Sequence, residues 1–144
     1  MLSQKEIKMH ISTKTGYAVR ALAELALNSD GKPVSISEIC KKQNLPIKYL
    51  EQLFRNLKKN GLVKSVHGSK GGYSLNRGVE EISLNDIMHA VMENYSLTYC
   101  DVDKENLDYC TGLPCGFHDL WDEIQTHLED YFDSIKLKQI ISKL

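Results

Sequence analysis

Cys100, Cys110, Cys115 and His118 place three thiols and an imidazole in one short stretch, "CDVDKENLDYCTGLPCGFH", with the spacing C-x9-C-x4-C-x2-H. Thiolates are soft ligands and imidazole is a versatile one, so these four donors suit zinc or an iron-sulfur cluster. The paired C-x2-C knuckles of a structural zinc site are missing, and the spacing alone leaves both metals open. Asp101, Asp108 and Asp119 are nearby carboxylates that compete as ligands. The fourth cysteine, Cys40, lies far away in sequence on the apolar side of a short helical pattern, and reads as a small buried hydrophobe. His10, His89 and His127 have no thiol neighbours and read as solvated or hydrogen-bonded side chains. Phe117 and Trp121, close to His118, read as packing for the start of a helix.

The chain around this stretch has 144 residues, enough for one domain or a compact domain with an appendage. Apolar residues make up 42% and charged residues 26%, ordinary values for a soluble globular chain that exclude a disordered or fibrous class. The opening "MLSQKEIKMH" lacks the apolar stretch of a signal peptide, and no apolar run approaches a membrane span, so the expected location is the cytoplasm. In that reducing compartment clustered cysteines favour metal binding or redox chemistry over structural disulfides. The net charge of -1 hides a division: residues 1–99 carry 14 Lys+Arg against 9 Asp+Glu, whereas residues 100–144 carry 4 against 10. A polyanionic partner would therefore meet the first two thirds of the chain. No Ser/His/Asp grouping, Walker loop or dinucleotide fingerprint occurs, and "HGSKGGY" misses the phosphate-loop pattern, which argues against an enzyme.

The elements that must position these residues read as mainly α with a small β-wing. "TKTGYAVRALAELALNSDG" sets Tyr17, Ala18, Ala21, Leu22, Leu25 and Ala26 on one helical face, with Gly31 and Pro33 as terminators. "SISEICKKQ" is a shorter helix capped by Ser35 or Ser37, with Ile36, Ile39 and Cys40 turned inward. "LPIKYLEQLFRNLKKNGL" buries Leu50, Leu53, Phe54 and Leu57, turns a mostly basic face outward and stops at Gly61. Two short strand-like runs, 62–66 and 72–75, then flank a turn holding Gly68, Lys70 and Gly71. Three helices followed by a basic hairpin read as a winged helix-turn-helix. Ser83 caps one more helix, and from Gly116 an apolar three-and-four spacing runs towards the end of the chain. If helical throughout, that run of roughly 29 residues spans about 43 Å, more than a small domain covers, and a second copy is the natural partner. The expected division is a winged helix-turn-helix domain at 1–91, a cluster-binding loop at 92–118 and the C-terminal part of a dimerisation helix at 119–144.

In this order the pieces resemble the Rrf-type winged-helix transcription regulators, which include IscR-like iron-sulfur sensors and NsrR-like nitric oxide sensors. The resemblance rests on "STKTGYAVRAL", "YLEQLFRNLKKNGLVKSVHGSKGGYSL" and the Cys-Cys-Cys-His loop; it covers nearly all of the chain from about Met9 and is nearer the IscR-like branch. It implies a homodimeric regulator, a repressor, that reads a palindromic operator in double-stranded DNA with the outward side of the "YLEQL" helix and with the wing. Lys48 and Glu51 would face base edges, with Gln52 and Arg55 on the same side, and Glu51 is suited to accept from a cytosine amino group. Lys59, Lys64 and Lys70 would hold phosphates, with His67 and Ser69 at the wing tip. Many IscR-like members carry Arg where this chain has His67, which offers neither a permanent charge nor a bidentate fork.

The resemblance further implies a 2Fe-2S cluster held by Cys100, Cys110, Cys115 and His118, read as a report of iron-sulfur, redox or nitric oxide status. The first interval, nine residues, is longer than the family's. NsrR-like members recruit an Asp from the partner's first helix; the corresponding place here is near Gly16, which favours His118 as fourth ligand. Two other readings stand beside this one. One is a cluster-free regulator of the same fold, controlled by thiol oxidation or by a partner enzyme; the other is a metal-holding interaction protein whose helix-turn-helix is only architecture.

Overall fold

Ser12 begins the ordered helical body by accepting the Lys14 backbone N–H on its hydroxyl at 3.2 Å, which caps helix α1, Thr13–Leu27. The computed structural model describes residues 11–28, 32–91 and 116–144, with residues 116–118 as backbone only. Ala18, Ala21, Leu22 and Leu25 of α1 are buried, as their spacing predicts. The helix ends at Asn28, whose backbone N–H and side-chain amide both reach the Glu24 carbonyl, at 3.1 and 2.8 Å. The expected terminator Gly31 lies outside the described residues.

Helix α2, Ile36–Gln43, opens on a reciprocal cap. Ser35 accepts the Glu38 N–H at 3.3 Å while the Glu38 carboxylate accepts the Ser35 N–H at 2.9 Å. The backbone N–H of Ser35, with its hydroxyl, holds the Glu38 carboxyl below its ordinary range. Asn44, in the left-handed region at φ 52°, closes α2 and turns the chain into helix α3, Ile47–Lys59, with Pro46 at the N-cap. Leu50, Leu53, Phe54 and Leu57 are all buried. At the other end Gly61, at φ 73°, donates to the Lys58 carbonyl and Leu62 donates to that of Leu57, both at 3.0 Å. This pairing is a Schellman ending that needs a left-handed residue, and it drives Leu62 back into the core with Leu57.

Strands β1, Val63–Val66, and β2, Gly72–Leu75, pair antiparallel with Val63 opposite Leu75 and Val66 opposite Gly72. Val34, just before α2, adds a further pair: its N–H donates to the Tyr73 carbonyl at 2.9 Å and its carbonyl accepts the Tyr73 N–H at 2.8 Å. The wing is thus stitched to the start of the helix-turn-helix. A Cβ on Gly72 would stand 2.5 Å from the Val34 carbonyl oxygen, so only glycine permits this approach. Tyr73 also packs its ring on buried Phe54 of α3, centroids 4.7 Å apart.

Helix α4, Leu84–Ala90, is capped reciprocally by Ser83 and Asp86, and helix α5, Gly116–Ser134, packs on it. The apolar run expected as one helix to the end of the chain is divided: α5 stops at Ser134 and a short helix α6, Leu137–Ile141, follows. The physical reason lies at Lys136, whose extended backbone (φ -96°, ψ 152°) pairs with Ser83. Leu84 N–H to Ile135 carbonyl at 2.8 Å and Leu137 N–H to Ile82 carbonyl at 2.9 Å replace the helical bonds lost there. The break lets Leu137, fully buried, join the same core as Leu22, Phe54 and Ile87. No helix among the described residues is long and apolar enough to cross a membrane.

Candidate nucleic-acid interface

Four side chains of α3 form a stripe on the side opposite its buried face. At roughly 100° per residue, Lys48, Gln52, Arg55 and Lys59 lie within about 60° of one another, with Glu51 at the edge of the stripe. All five are exposed, while Leu50, Leu53, Phe54 and Leu57 occupy the opposite side. The stripe is locally organised: Arg55 Nη1 donates to Gln52 Oε1 at 3.1 Å, and Gln52 Nε2 donates to Asn56 Oδ1 at 3.4 Å. Arg55 and Gln52 therefore present donors from a partly fixed arrangement, which lowers the entropy lost when they bind a base edge or phosphate.

The wing continues this surface. Lys64, His67, Ser69 and Lys70 are exposed on β1 and the turn. Lys58, which sequence reasoning left out of the candidate set, donates from Nζ to Ser65 Oγ at 2.7 Å and ties the last turn of α3 to β1. Its exposed position three residues after Arg55 was the available signal. The described ion pairs are Glu24–Lys42, Arg77–Asp86, Glu123–His127 and Glu80–Lys138, and none uses a cation of α3 or the wing. These cations stay available for an external anion. Ile47, at the start of α3, is 49% exposed, an apolar side chain at the tip of an otherwise polar surface.

Behind this surface α2 is fastened to α1. Lys42 Nζ reaches Glu24 at 2.5 Å and Asn28 at 2.7 Å, and Gln43 donates to Glu24 at 3.2 Å. Burial pushes the Glu24 carboxyl up, but the bonds from Lys42, Asn28 and Gln43 outweigh it and hold the group below its usual range. Tyr17 of α1 meets Tyr49 of α3 edge to face at 5.5 Å. The recognition-type helix is thereby set by its neighbours on both sides.

The sequence-derived metal ligands fall largely outside the described residues. Cys100, Cys110 and Cys115 lie outside the described residues, and His118 falls in the first turn of α5, where only backbone is described. Among the described residues no group of three or more His, Cys, Asp or Glu side chains gathers to hold a metal ion. The one described cysteine, Cys40, is half-buried in α2; burial pushes its thiol up and the Glu51 carboxylate adds to the shift, so it stays a protonated thiol. The donor set expected from the sequence, three thiols and His118, has a chemistry that fits an iron-sulfur cluster with one histidine ligand as well as zinc.

Comparison with known proteins agrees with this geometry. The family model Rrf2, described as an iron-dependent transcriptional regulator, matches residues 11–143. A Haemophilus influenzae protein with the provisional description HTH-type transcriptional regulator is 42% identical over 135 residues, covering 94% of this chain and 88% of its own length. The structure of T. potens IscR superposes with a TM-score of 0.72 at 34% identity, covering 95% of this chain and 89% of that one. CymR, the global cysteine regulator of B. subtilis, superposes with a TM-score of 0.74 at 29% identity over 95% of this chain and 99% of its own. The family consists of transcriptional regulators rather than enzymes. A winged helix-turn-helix with an outward basic stripe, a long C-terminal helix and this family match together place the chain in the Rrf2 family of DNA-binding transcription regulators, on its IscR-like branch.

Proposed function

We propose that the protein is a homodimeric repressor that binds a palindromic operator and reports iron-sulfur, redox or nitric oxide status through a 2Fe-2S cluster. The observation that carries the DNA-binding part is the α3 stripe, with Lys48, Glu51, Gln52 and Arg55 facing base edges and Lys59, Lys64, His67, Ser69 and Lys70 meeting the backbone. Residues 1–91 read DNA, residues 92–118 hold the cluster, and residues 119–144 begin with the part of α5 that pairs two chains. Support for that pairing comes from α5 itself: Leu120 and Tyr131 are 48% and 61% exposed on one side of the helix.

Cys100, Cys110, Cys115 and His118 are the residues that hold the cluster, which supplies one-electron redox chemistry and a point of attack for oxidants or nitric oxide. A histidine ligand exchanges more readily than a fourth thiolate, which suits a sensor. The test is anaerobic isolation with visible absorption, iron and acid-labile sulfide measured on one sample, followed by His118→Ala and Cys115→Ala. About two irons and two sulfides per chain, lost in Cys115→Ala and made labile in His118→Ala, are expected. A protein that stays colourless after reconstitution refutes the cluster. It would favour the second reading, a thiol- or partner-controlled regulator, which the likeness to the cysteine regulator CymR supports.

A further inference from the structure

The end of α5 meets the start of α4 through two kinds of contact with different mechanical consequences. The backbone bonds Leu84 to Ile135 and Leu137 to Ile82, with Lys138 N–H to the Val79 carbonyl at 3.0 Å, hold the segment after the helix. They fix where α5 ends, while its direction is held by its packing on α4 and by a side-chain bond in its last turn. Ser83 Oγ donates to Asp133 Oδ1 at 2.9 Å, and Phe132 beside it is buried. Ser83 is itself 2% exposed and also accepts the Asp86 N–H at 3.0 Å, so one buried hydroxyl both caps α4 and grips α5.

We infer that Asp133 is a positioning residue for operator recognition: its bond to Ser83 fixes the direction of α5 against the DNA-binding body and thereby sets the half-site spacing the dimer accepts. The inference rests on the proposal that α5 joins two chains. The lever is long enough to matter. Nineteen helical residues span about 28 Å, so a tilt of about 10° at the Ser134 end moves the far end by about 5 Å. One base-pair step is about 3.4 Å, and two recognition helices displaced by more than that cannot both keep register on a rigid duplex. The tie also acts without altering α3 or the wing, which keeps half-site reading separate from spacing.

The experiment uses the full chain with a half-site chosen by selection from random duplexes, then places two half-sites at the preferred separation and at one and two base pairs more or less. The wild-type protein is expected to lose about tenfold or more in affinity for a change of one base pair, and Asp133→Ala less than about threefold. Asp133→Asn keeps an acceptor oxygen for the Ser83 hydroxyl and restores the wild-type profile. Affinity for a single half-site should be equal in all three. An unchanged spacing profile in Asp133→Ala overturns the inference, as does an equal loss at every spacing and on the single half-site, which would mark a merely structural residue. A wild-type protein that sediments as a monomer, or that shows no spacing preference, would instead refute pairing through α5, and this inference with it.

Discussion

Lys59 offers the sharpest test of where phosphate meets protein. It is exposed in the last turn of α3, as Lys64 and Lys70 are on the wing, and none of the three joins a described ion pair. If each neutralises one phosphate, a dimer makes about six such contacts, and their share of the slope of log affinity against log salt is about -5.4. Lys59→Gln removes the charge while leaving a polar side chain one bond shorter, and takes away two contacts per dimer, which brings that share to about -3.6. Between 50 and 200 mM salt those contacts cost the wild-type protein roughly a thousandfold in affinity and the variant about a hundredfold. Contacts elsewhere add equally to both slopes, so the difference of about 1.8 is the quantity to measure. Fluorescence anisotropy of a labelled operator across that salt range reads it directly. Two outcomes would refute the reasoning: an unchanged slope, or a loss of affinity confined to one operator sequence, since a phosphate contact carries no sequence information.

Two further outcomes follow from the packing behind the interface. Phe54→Ala empties a fully buried site against Tyr73 and should cost about 3–5 kcal/mol by urea unfolding, with the wing's contribution to DNA binding lost together with stability; a cost below about 1 kcal/mol would mean that the α3–wing contact is not part of the core. The folded Glu24 carboxyl sits below its unfolded value, so its contribution to stability is complete above the ordinary 4.5 and is lost as pH falls through the lower folded value. Glu24→Gln should therefore be less stable than wild type at pH 7, with the gap closing as pH drops below 4.5; a gap independent of pH would show that the Lys42 pair does not stabilise the α1–α2 junction.

The parts legible in the sequence were those set by local rules. The buried face of α3 could be read from Leu50, Leu53, Phe54 and Leu57 because a helix with one solvated side must repeat its apolar residues at three-and-four spacing. Gly61 announced the end of α3 for a similar reason, since a left-handed closing residue is usually glycine, with asparagine, as at Asn44, the common alternative. What remained hidden was set by partners distant in the chain. Val34 pairs with Tyr73 through backbone atoms alone, and nothing in "KPVSIS" distinguishes a residue that will do so. The break at Lys136 was equally hidden. Its neighbours carry a good helical pattern, and only the unsatisfied edge at Ile82–Leu84 makes an extended residue there cheaper than another helical turn. Ser83 was legible as a cap but not as the grip on Asp133, because that bond spans fifty residues. For the proposed metal ligands the sequence supplies donor types and spacing, while their arrangement in space lies outside the described residues.

The uneven distribution of charge along the chain acquires a reason once the elements are placed. Asp119, Asp122, Glu123, Asp130 and Asp133 are exposed along α5, on a side of the helix that its apolar residues do not use. These carboxylates offset the cations of α3 and the wing in the net charge of -1, and an acidic helix beside the proposed reading surface weakens attraction to phosphate overall. The same repulsion is selective. A duplex approaching along α5 meets carboxylates, whereas one approaching α3 and the wing meets Lys48, Arg55, Lys59, Lys64 and Lys70. On the proposed interface, the acidic helix would disfavour a duplex approaching along α5, so that charge which costs affinity adds to specificity. A uniformly basic chain of the same fold would bind duplex DNA more tightly and discriminate less, because non-specific binding rises with every added cation while base contacts stay the same.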